Sequence, residues 1–491
     1  MKGFCDSSSD PLLNLLLKKG VLSEEEAQAV KAEAEAGRTN LSEMPPIESK
    51  WKISKALKSV ELFGDVRLRF EDREAKTPPG GRLEIQRARY SVRLGLRGDA
   101  FDNFYYGVRA EMAANPRSPW VTFGTSTSGN YQGPFGKSTA GVNIGQAFIG
   151  WRPANWLDIT VGKMPNPLYT TPLVWDTDLN PEGAAERFKR TVGQADFFAT
   201  FGQFLYADFN PNYASPNLVS GLSLGQNTDN IFLIAWQAGL TYHFTTNISA
   251  KAAATLYHYM GVHTNDSSLG FNKLYVGEGA FLGPGAGGPP EGSAGFTGSA
   301  FANNQSGLNH LLILEIPAQL DFKLGSLDAR LFGDVAYNLE GEDRAEDAAT
   351  AYAEYISLNN GTLKPFSAQK QDRMAYQAGF AIGSAANLGM VSGTTSRKNA
   401  WEFRSYWQHV EQYALDPNLL DSDFMEGRGN LEGIYAAAAY GFTDNVIGTV
   451  RYGYARRIND RLGTGGNNQD IPQINPMQRY NLLLLDLTLR F

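Results

Sequence analysis

The chain has 491 residues, 42% of them apolar, with 12% aromatics, 52 glycines, a mean hydropathy of -0.31 and a formal net charge of -7. No window approaches the roughly eighteen continuous apolar residues of a membrane helix, and a net negative chain lacks the basic footprint that nucleic acid requires; a transmembrane barrel stays open, because only alternate residues of each strand meet lipid. A single cysteine, Cys5, rules out internal disulfides and any cysteine-built metal or c-type haem site.

Met1 to Asp10 holds no apolar signal core. Leu12 to Leu17, interrupted by Asn14 and followed by Lys18 and Lys19, is too short for one, so an exported chain is expected to be numbered after a signal already removed. Pro11 to Lys19 and Ser23 to Ala36 read as two short helices parted at Gly20; Ser23 with Glu26 makes a capping box and Gly37 a stop. Leu12, Leu13, Leu16, Val21, Leu22, Ala27 and Val30 would close the pair as a hairpin or join neighbouring copies, the alternative being a mobile stub. Arg38 to Ile53, with Pro45 and Pro46, is a linker, so residues 1–53 form a helical hairpin and linker ahead of the domain 58–491.

From Lys58 onward apolar residues recur at every second position, the period of a strand with one wet and one greasy face. Lys58 to Asp72 sets Val60, Leu62, Val66, Leu68 and Phe70 against Glu61, Asp65, Arg67, Arg69 and Glu71. Arg82 to Arg97 sets Ala88, Tyr90, Val92, Leu94 and Leu96 against Arg87, Arg89, Ser91, Arg93 and Arg97, and Asn103 to Ala114 opposes Phe104, Tyr106, Val108, Ala110 and Met112 to Arg109 and Glu111. The same reading gives strands over Asn143–Arg152, Trp156–Lys163, Glu182–Val192, Asp196–Asp208, Asp229–Phe244, Ile248–Met260, Gly307–Lys323 and Leu327–Glu340. It continues over Gln371–Gly383, Asn399–Tyr413, Asn430–Phe442, Val446–Arg457 and Gln478–Phe491. In the last strand Leu483, Leu485, Leu487, Leu489 and Phe491 share one parity while Asp486, Thr488 and Arg490 point the other way, toward a wet interior. The expected fold is an all-β transmembrane barrel of about sixteen antiparallel strands, an even number as such barrels require.

Short links (Gly98 to Asp102, Pro153 to Asn155, Thr245 to Asn247, Gly325 with Ser326, Thr443 to Asn445) alternate with long ones such as Asn115 to Val142 and Gly261 to Ser306. That alternation separates a turn end from a loop end and puts both termini at the turn end; the long link Ser384 to Lys398 departs from it. Inward Arg67, Arg69, Arg87, Arg89, Arg93 and Arg109 form a patch on neighbouring strands, expected both to line a pore and to pair with Asp65, Glu71 and Glu111. Further inward positions of mixed sign include Glu315, Gln319, Asp321, Asp334, Glu402, Arg404 and Arg451, while Trp401, Phe403, Trp407, Tyr452 and Tyr454 suit interfacial girdles.

The link after the fifth strand, residues 164–181, reads MPNPLYTTPLVWDTDLNP. Gly162, Lys163, Asn166 and Pro167, followed by Trp175, Asp176, Asp178, Asn180, Pro181, Glu182 and Gly183, give "GK-x-x-NP" and "W-D-x-D-x-NPEG" segments. With the terminal Phe491, the paired N-terminal helices and the arginine-rich opening strands, these segments resemble the bacterial outer-membrane putative porin family, related to the phosphate-selective porins O and P and to general diffusion porins. The resemblance implies a passive, water-filled channel in the outer membrane of a bacterial cell, a homotrimer in contact with outer-membrane lipid. It also implies that 164–181 is a constriction loop, with Asp176 and Asp178 facing the arginine patch. Phosphate selectivity is not implied, because the inward bases are mostly arginine; the expected cargo is ions and small hydrophilic solutes.

Asp176 and Asp178 could instead form a calcium loop or an Asx turn, but Pro181 stands where an EF-hand needs glycine and Arg187 where it needs the closing Glu, so no metal and no cofactor is expected. None of the five histidines, His243, His258, His263, His310 and His409, lies in a serine-hydrolase or metal motif, so no catalytic residue is assigned and the chain is not read as an enzyme. The alternative function is a structural barrel whose N-terminal helices dock a periplasmic or cell-wall partner.

Overall fold

Strand periodicity this regular can bury its polar faces only by closing on itself, and the chain does so. The computed structural model describes residues 56–491 apart from 79, 114–117, 125–140, 208–229, 262–307, 359–367, 385–387, 466–469, 472–473 and 475, with only positions 19 and 54 before them; residues 351–358 are described as backbone. The chain divides into two units, Met1–Ala56 and Leu57–Phe491. The helical hairpin expected over 1–53 belongs to the first and lies outside the described residues.

The staves are β1 (Glu61–Lys76), β2 (Arg82–Asp99), β3 (Phe104–Ala113), β4 (Gly141–Ala154), β5 (Leu157–Lys163), β6 (Glu182–Val192), β7 (Ala195–Ala207) and β8 (Ile231–Thr245). The ring continues through β9 (Ile248–Met260), β10 (Leu312–Leu324), β11 (Leu327–Asn338), β12 (Met374–Ser384), β13 (Trp401–Val410), β14 (Leu431–Gly441), β15 (Val446–Arg457) and β16 (Arg479–Arg490). Each stave pairs antiparallel with the next, and β16 returns to β1 in the register Asp65↔Arg490 to Lys76↔Arg479. At the seam Gly64 and Phe491 exchange both backbone hydrogen bonds, at 2.9 and 3.1 Å, so the terminal residue closes the cylinder. A two-residue strand fragment, Val121–Thr122, pairs with Arg89 and Tyr90 of β2 above the point where the shorter β3 ends its ladder at Met112. The fragment covers an edge that would otherwise leave backbone groups unpaired.

Burial is inverted relative to a water-soluble domain. Leu62, Leu68, Phe70, Val161, Leu331, Leu485, Leu487 and Leu489 lie exposed on the outer surface, while Glu71, Arg73, Glu315 and Glu402 are buried inside. Each large apolar side chain left in water would forgo about 1.5–3 kcal/mol, so a belt of them marks a lipid-facing surface. No helix among the described residues is long and apolar enough to cross a membrane.

Three differences from the sequence reading have physical causes. β1 runs four residues past Asp72 to Lys76. Above the apolar belt its outward positions, Asp72, Glu74 and Lys76, become polar, so the alternation that marks the strand disappears although the ladder continues. A helix, α1 (Gly341–Leu358), follows β11 where no element was expected; its signal is Glu342 and Asp343 in the first turn, with Ala345 and Ala348 completely buried. The interior is also not uniformly wet. Leu482 and Leu484, inward on β16, are buried in a cluster with Tyr406, Phe424, Ile471 and Met477, because the link 411–430 and the described residues of the link 458–478 lie inside the cylinder.

Candidate functional site

The link 164–181, called loop 3 below after its rank among the long-side links, leaves β5 at Lys163 and returns to β6 at Glu182. Its neck is made by glycines. Gly162 and Gly183 are register partners with φ of +120° and +150°, and a Cβ on either would lie 2.3 Å from the Ala147 carbonyl or 2.1 Å from that of Gln203. Only glycine tolerates that combination, and Lys163 bonds Glu182 at 2.5 Å across the same neck. The flanking "GK" and "EG" of the motif therefore set the angle at which the loop turns inward.

Inside, loop 3 is fixed along its length. Tyr169 exchanges hydrogen bonds with Gln237 on β8 (2.9 and 2.8 Å) and donates its hydroxyl to Gln319 on β10 (2.9 Å). Thr170 donates to Glu315 at 2.5 Å and Thr171 to Asp334 on β11. Met164, Leu168, Leu173, Val174 and Trp175 pack into an apolar cluster with Phe204, Leu233 and Tyr257 on the wall, and the Trp175 indole donates to the Leu179 carbonyl at 3.0 Å. Asn180 accepts from Gln146 on β4 at 3.0 Å.

The two aspartates of the motif have different surroundings. Asp176 is buried; one oxygen accepts from the Asp178 amide (2.9 Å), and the other from the Ser422 amide and hydroxyl (3.2 and 3.1 Å) of the link 411–430. Burial, reinforced by the neighbouring Asp178 charge, pushes its carboxyl up to about 7. Asp176 is thus turned to Ser422 rather than to the arginine wall. Asp178 lies 3.4 Å from Arg93 and 4.0 Å from Arg67.

The six arginines separate into two groups. Arg67 and Arg93 share Asp65 at 3.2 and 2.8 Å, and Arg109 bonds Glu111 on its own strand, its Nε at 2.7 Å; these three side chains keep 14–19% exposure. Arg69, Arg87 and Arg89 meet acids from the long-side links as well as from the strands, and Arg87 keeps 20% exposure. Arg69 is held by Asp423 and Asp486, each at 2.6 Å, and Arg87 by Glu71 and Asp470, with Arg89 beside the same pair. Arg73, which the sequence reading missed by ending β1 early, joins Glu71, Glu426 and Asp470 at 3.3–3.8 Å. Burial alone would raise Asp423 and Asp470, yet Arg69 holds the first well below the carboxylate range, and Arg73, Arg87 and Arg89 hold the second down to about 2. Asp423, Glu426 and Asp470 carry no periodic signal, so nothing in the pattern of the chain points to them. Trp120 lies over Arg67 and Arg69, 4.8 and 4.1 Å from ring centre to guanidinium.

Two clefts flank the group Arg67, Arg93, Arg109 and Asp178. One of about 550 Å³ on the loop side is lined by Glu111, Lys163, Asp178 and Tyr206. The other, about 380 Å³ on the turn side, is lined by Asp65, Arg93, Arg109, Pro165 and Arg490. Among the described residues no group of three or more His, Cys, Asp or Glu side chains is arranged to hold a metal ion. The sequence holds one G-x-S-x-G string, at residues 221–225, outside the described residues.

A family model described as "Putative porin" matches residues 77–276 and 302–491. The chain belongs to that porin family. Among solved structures it is similar to Pseudomonas putida OprB (11% identity, TM-score 0.46, 88% of this chain and 94% of that one). It is also similar to Salmonella typhi OmpF in complex with daunomycin (10%, 0.40, 90% and 100%) and to in-vitro folded Vibrio cholerae OmpT (9%, 0.38, 89% and 100%). No curated protein sequence matches it.

Proposed function

We propose that this porin-family barrel is a bacterial outer-membrane channel through which ions and small hydrophilic solutes diffuse passively, assembled as a homotrimer in outer-membrane lipid. The observation that carries the reading is loop 3, pinned inside a closed ring with Asp178 held against Arg93 and Arg67 between two clefts. Opposed fixed charges across a narrow, low-dielectric gap create a transverse field that orients polar solutes and disfavours apolar ones, which gain nothing from it. Arg67, Arg93, Arg109 and Asp178 form the eyelet in this account. Arg69, Arg87 and Arg89 line the lumen but act chiefly through the loop acids that cover them, and Asp176 positions loop 3. Stepwise conductance of the purified protein in planar bilayers tests the reading; a protein that inserts and gives no steps refutes it.

The dense packing of the link 411–430 and of the described residues of the link 458–478 inside the ring favours a second reading, a mainly structural barrel anchored through residues 1–53 to a periplasmic or cell-wall partner. Deleting Met1 to Ile53 separates the two, since loss of attachment with unchanged conductance supports the anchoring role of that segment.

A further inference from the structure

A cavity of about 600 Å³ lies apart from the eyelet, between the underside of loop 3 at Pro167 to Tyr169 and the staves β5 to β9, and it reaches the turn-side rim at Asn155. Its charge is one-sided. Arg152, Arg187, Lys189 and Lys251 line it against the single carboxylate of Asp158. That carboxylate is already occupied, by Arg187 at 2.7 Å, Arg152 at 3.7 Å and the Tyr105 hydroxyl at 2.6 Å.

Lys251 is left over. Its ammonium sits 3.8 Å from the centre of the Tyr169 ring and 5.1 Å from that of Phe198, and among the described residues no carboxylate makes an ion pair with it. An ammonium held by aromatic faces retains most of its demand for a counter-charge, because a cation–π contact does not neutralise it. The rings that hold it also offer flat apolar surface within the same cavity, as small-ligand sites do around a few placed polar groups.

We propose that this cavity is a binding site for a small organic anion with a planar apolar body, a monocarboxylate of the benzoate type. Its carboxylate pairs with Lys251 and its ring lies against Tyr169 and Phe198. Arg187 and Lys189 add long-range attraction from the turn side, and Gln237, whose amide already joins Tyr169 to the wall, keeps the loop-3 side of the cavity fixed. The site goes beyond the channel reading, and binding to it does not require that the eyelet conduct.

The test is calorimetric titration of the purified full-length protein in detergent with sodium benzoate, inorganic phosphate and neutral benzamide. Benzoate is expected to bind in the millimolar range or tighter, at least about tenfold more tightly than either comparator. Lys251→Met is expected to weaken benzoate by at least about tenfold and Lys251→Arg to retain it, with the strand content of both variants checked by circular dichroism. Quenching of intrinsic fluorescence by benzoate, lost in Tyr169→Leu, gives an independent readout. Absence of benzoate binding up to about 10 mM, equal binding by a folded Lys251→Met, or phosphate binding as tightly as benzoate would each overturn the proposal.

Discussion

Replacing Asp178 with asparagine removes one negative charge from the gap while leaving the wall in place, because Arg93 and Arg67 keep Asp65 at 2.8 and 3.2 Å. An ion passing about 5 Å from that carboxylate in a water-like dielectric feels about 0.8 kcal/mol, and a Debye length of about 10 Å at 0.1 M salt trims this to about 0.5 kcal/mol. The term has opposite signs for cations and anions, so the cation-to-anion permeability ratio changes by about 1 kcal/mol, or about fivefold toward anions. Asp178→Lys doubles the charge change and brings the shift to about thirtyfold. Lower local dielectric would enlarge both figures, and raising the salt to 1 M, where the Debye length is about 3 Å, should erase most of them. Reversal potentials across a tenfold salt gradient in planar bilayers measure the ratio directly. If both variants form channels whose reversal potential equals that of the parent at 0.1 M, Asp178 is not at the narrowest point and the eyelet assignment fails.

Other perturbations probe what holds loop 3. The Asp176 carboxyl, raised to about 7 by burial, binds a proton more readily folded than unfolded. Stability is therefore fully present below about pH 4 and falls as pH rises toward about 7, and Asp176→Asn should flatten this part of a melting-temperature profile; an unchanged slope contradicts the assignment. Gly162→Ala or Gly183→Ala forces a Cβ against a carbonyl at positive φ, at a strain of about 1–3 kcal/mol before the clash, and should cut the yield of heat-modifiable folded barrel on gels. Thr170→Val with Thr171→Val removes the donors to Glu315 and Asp334, each such bond contributing about 1.5–3 kcal/mol, and should raise open-channel noise and single-channel conductance as the tip of loop 3 loosens.

The cylinder was legible because its code is local. Glu182–Val192, Ile248–Met260 and Val446–Arg457 are strands with the bounds that alternation and turn residues predict, and the other thirteen differ only at their ends. Alternation fails where a stave leaves the lipid belt. There both faces are polar, so β1 loses its signal at Asp72 while its ladder continues to Lys76. It was silent on what fills the ring, since loops have no period. Met390, Phe424, Ile471 and Met477 are apolar residues in irregular segments, and only the ring itself explains where they go. Parity put Arg67, Arg69, Arg87, Arg89, Arg93 and Arg109 on one face, but parity reports direction and not partners. Arg69 and Asp423 are separated by 354 positions, and no local pattern joins them.

Those distant partners decide what each arginine can do. Asp423 bonds Arg69 and Asp470 bonds Arg87, which ties the link 411–430 to β1 and Asp470 to β2, while Asp486 and Glu71 keep the two arginines paired from the wall itself. Arg67 and Arg93 share the strand acid Asp65, and the loop carboxylate that reaches them, Asp178, stands at 3.4–4.0 Å. That contact is longer than those of Arg69, whose side chain is 3% exposed between two carboxylates at 2.6 Å. One ladder of identical side chains is therefore tied to a loop acid from the link 411–430 at Arg69 and, in the proposed eyelet, faces Asp178 at Arg67, two positions apart on the same face of β1.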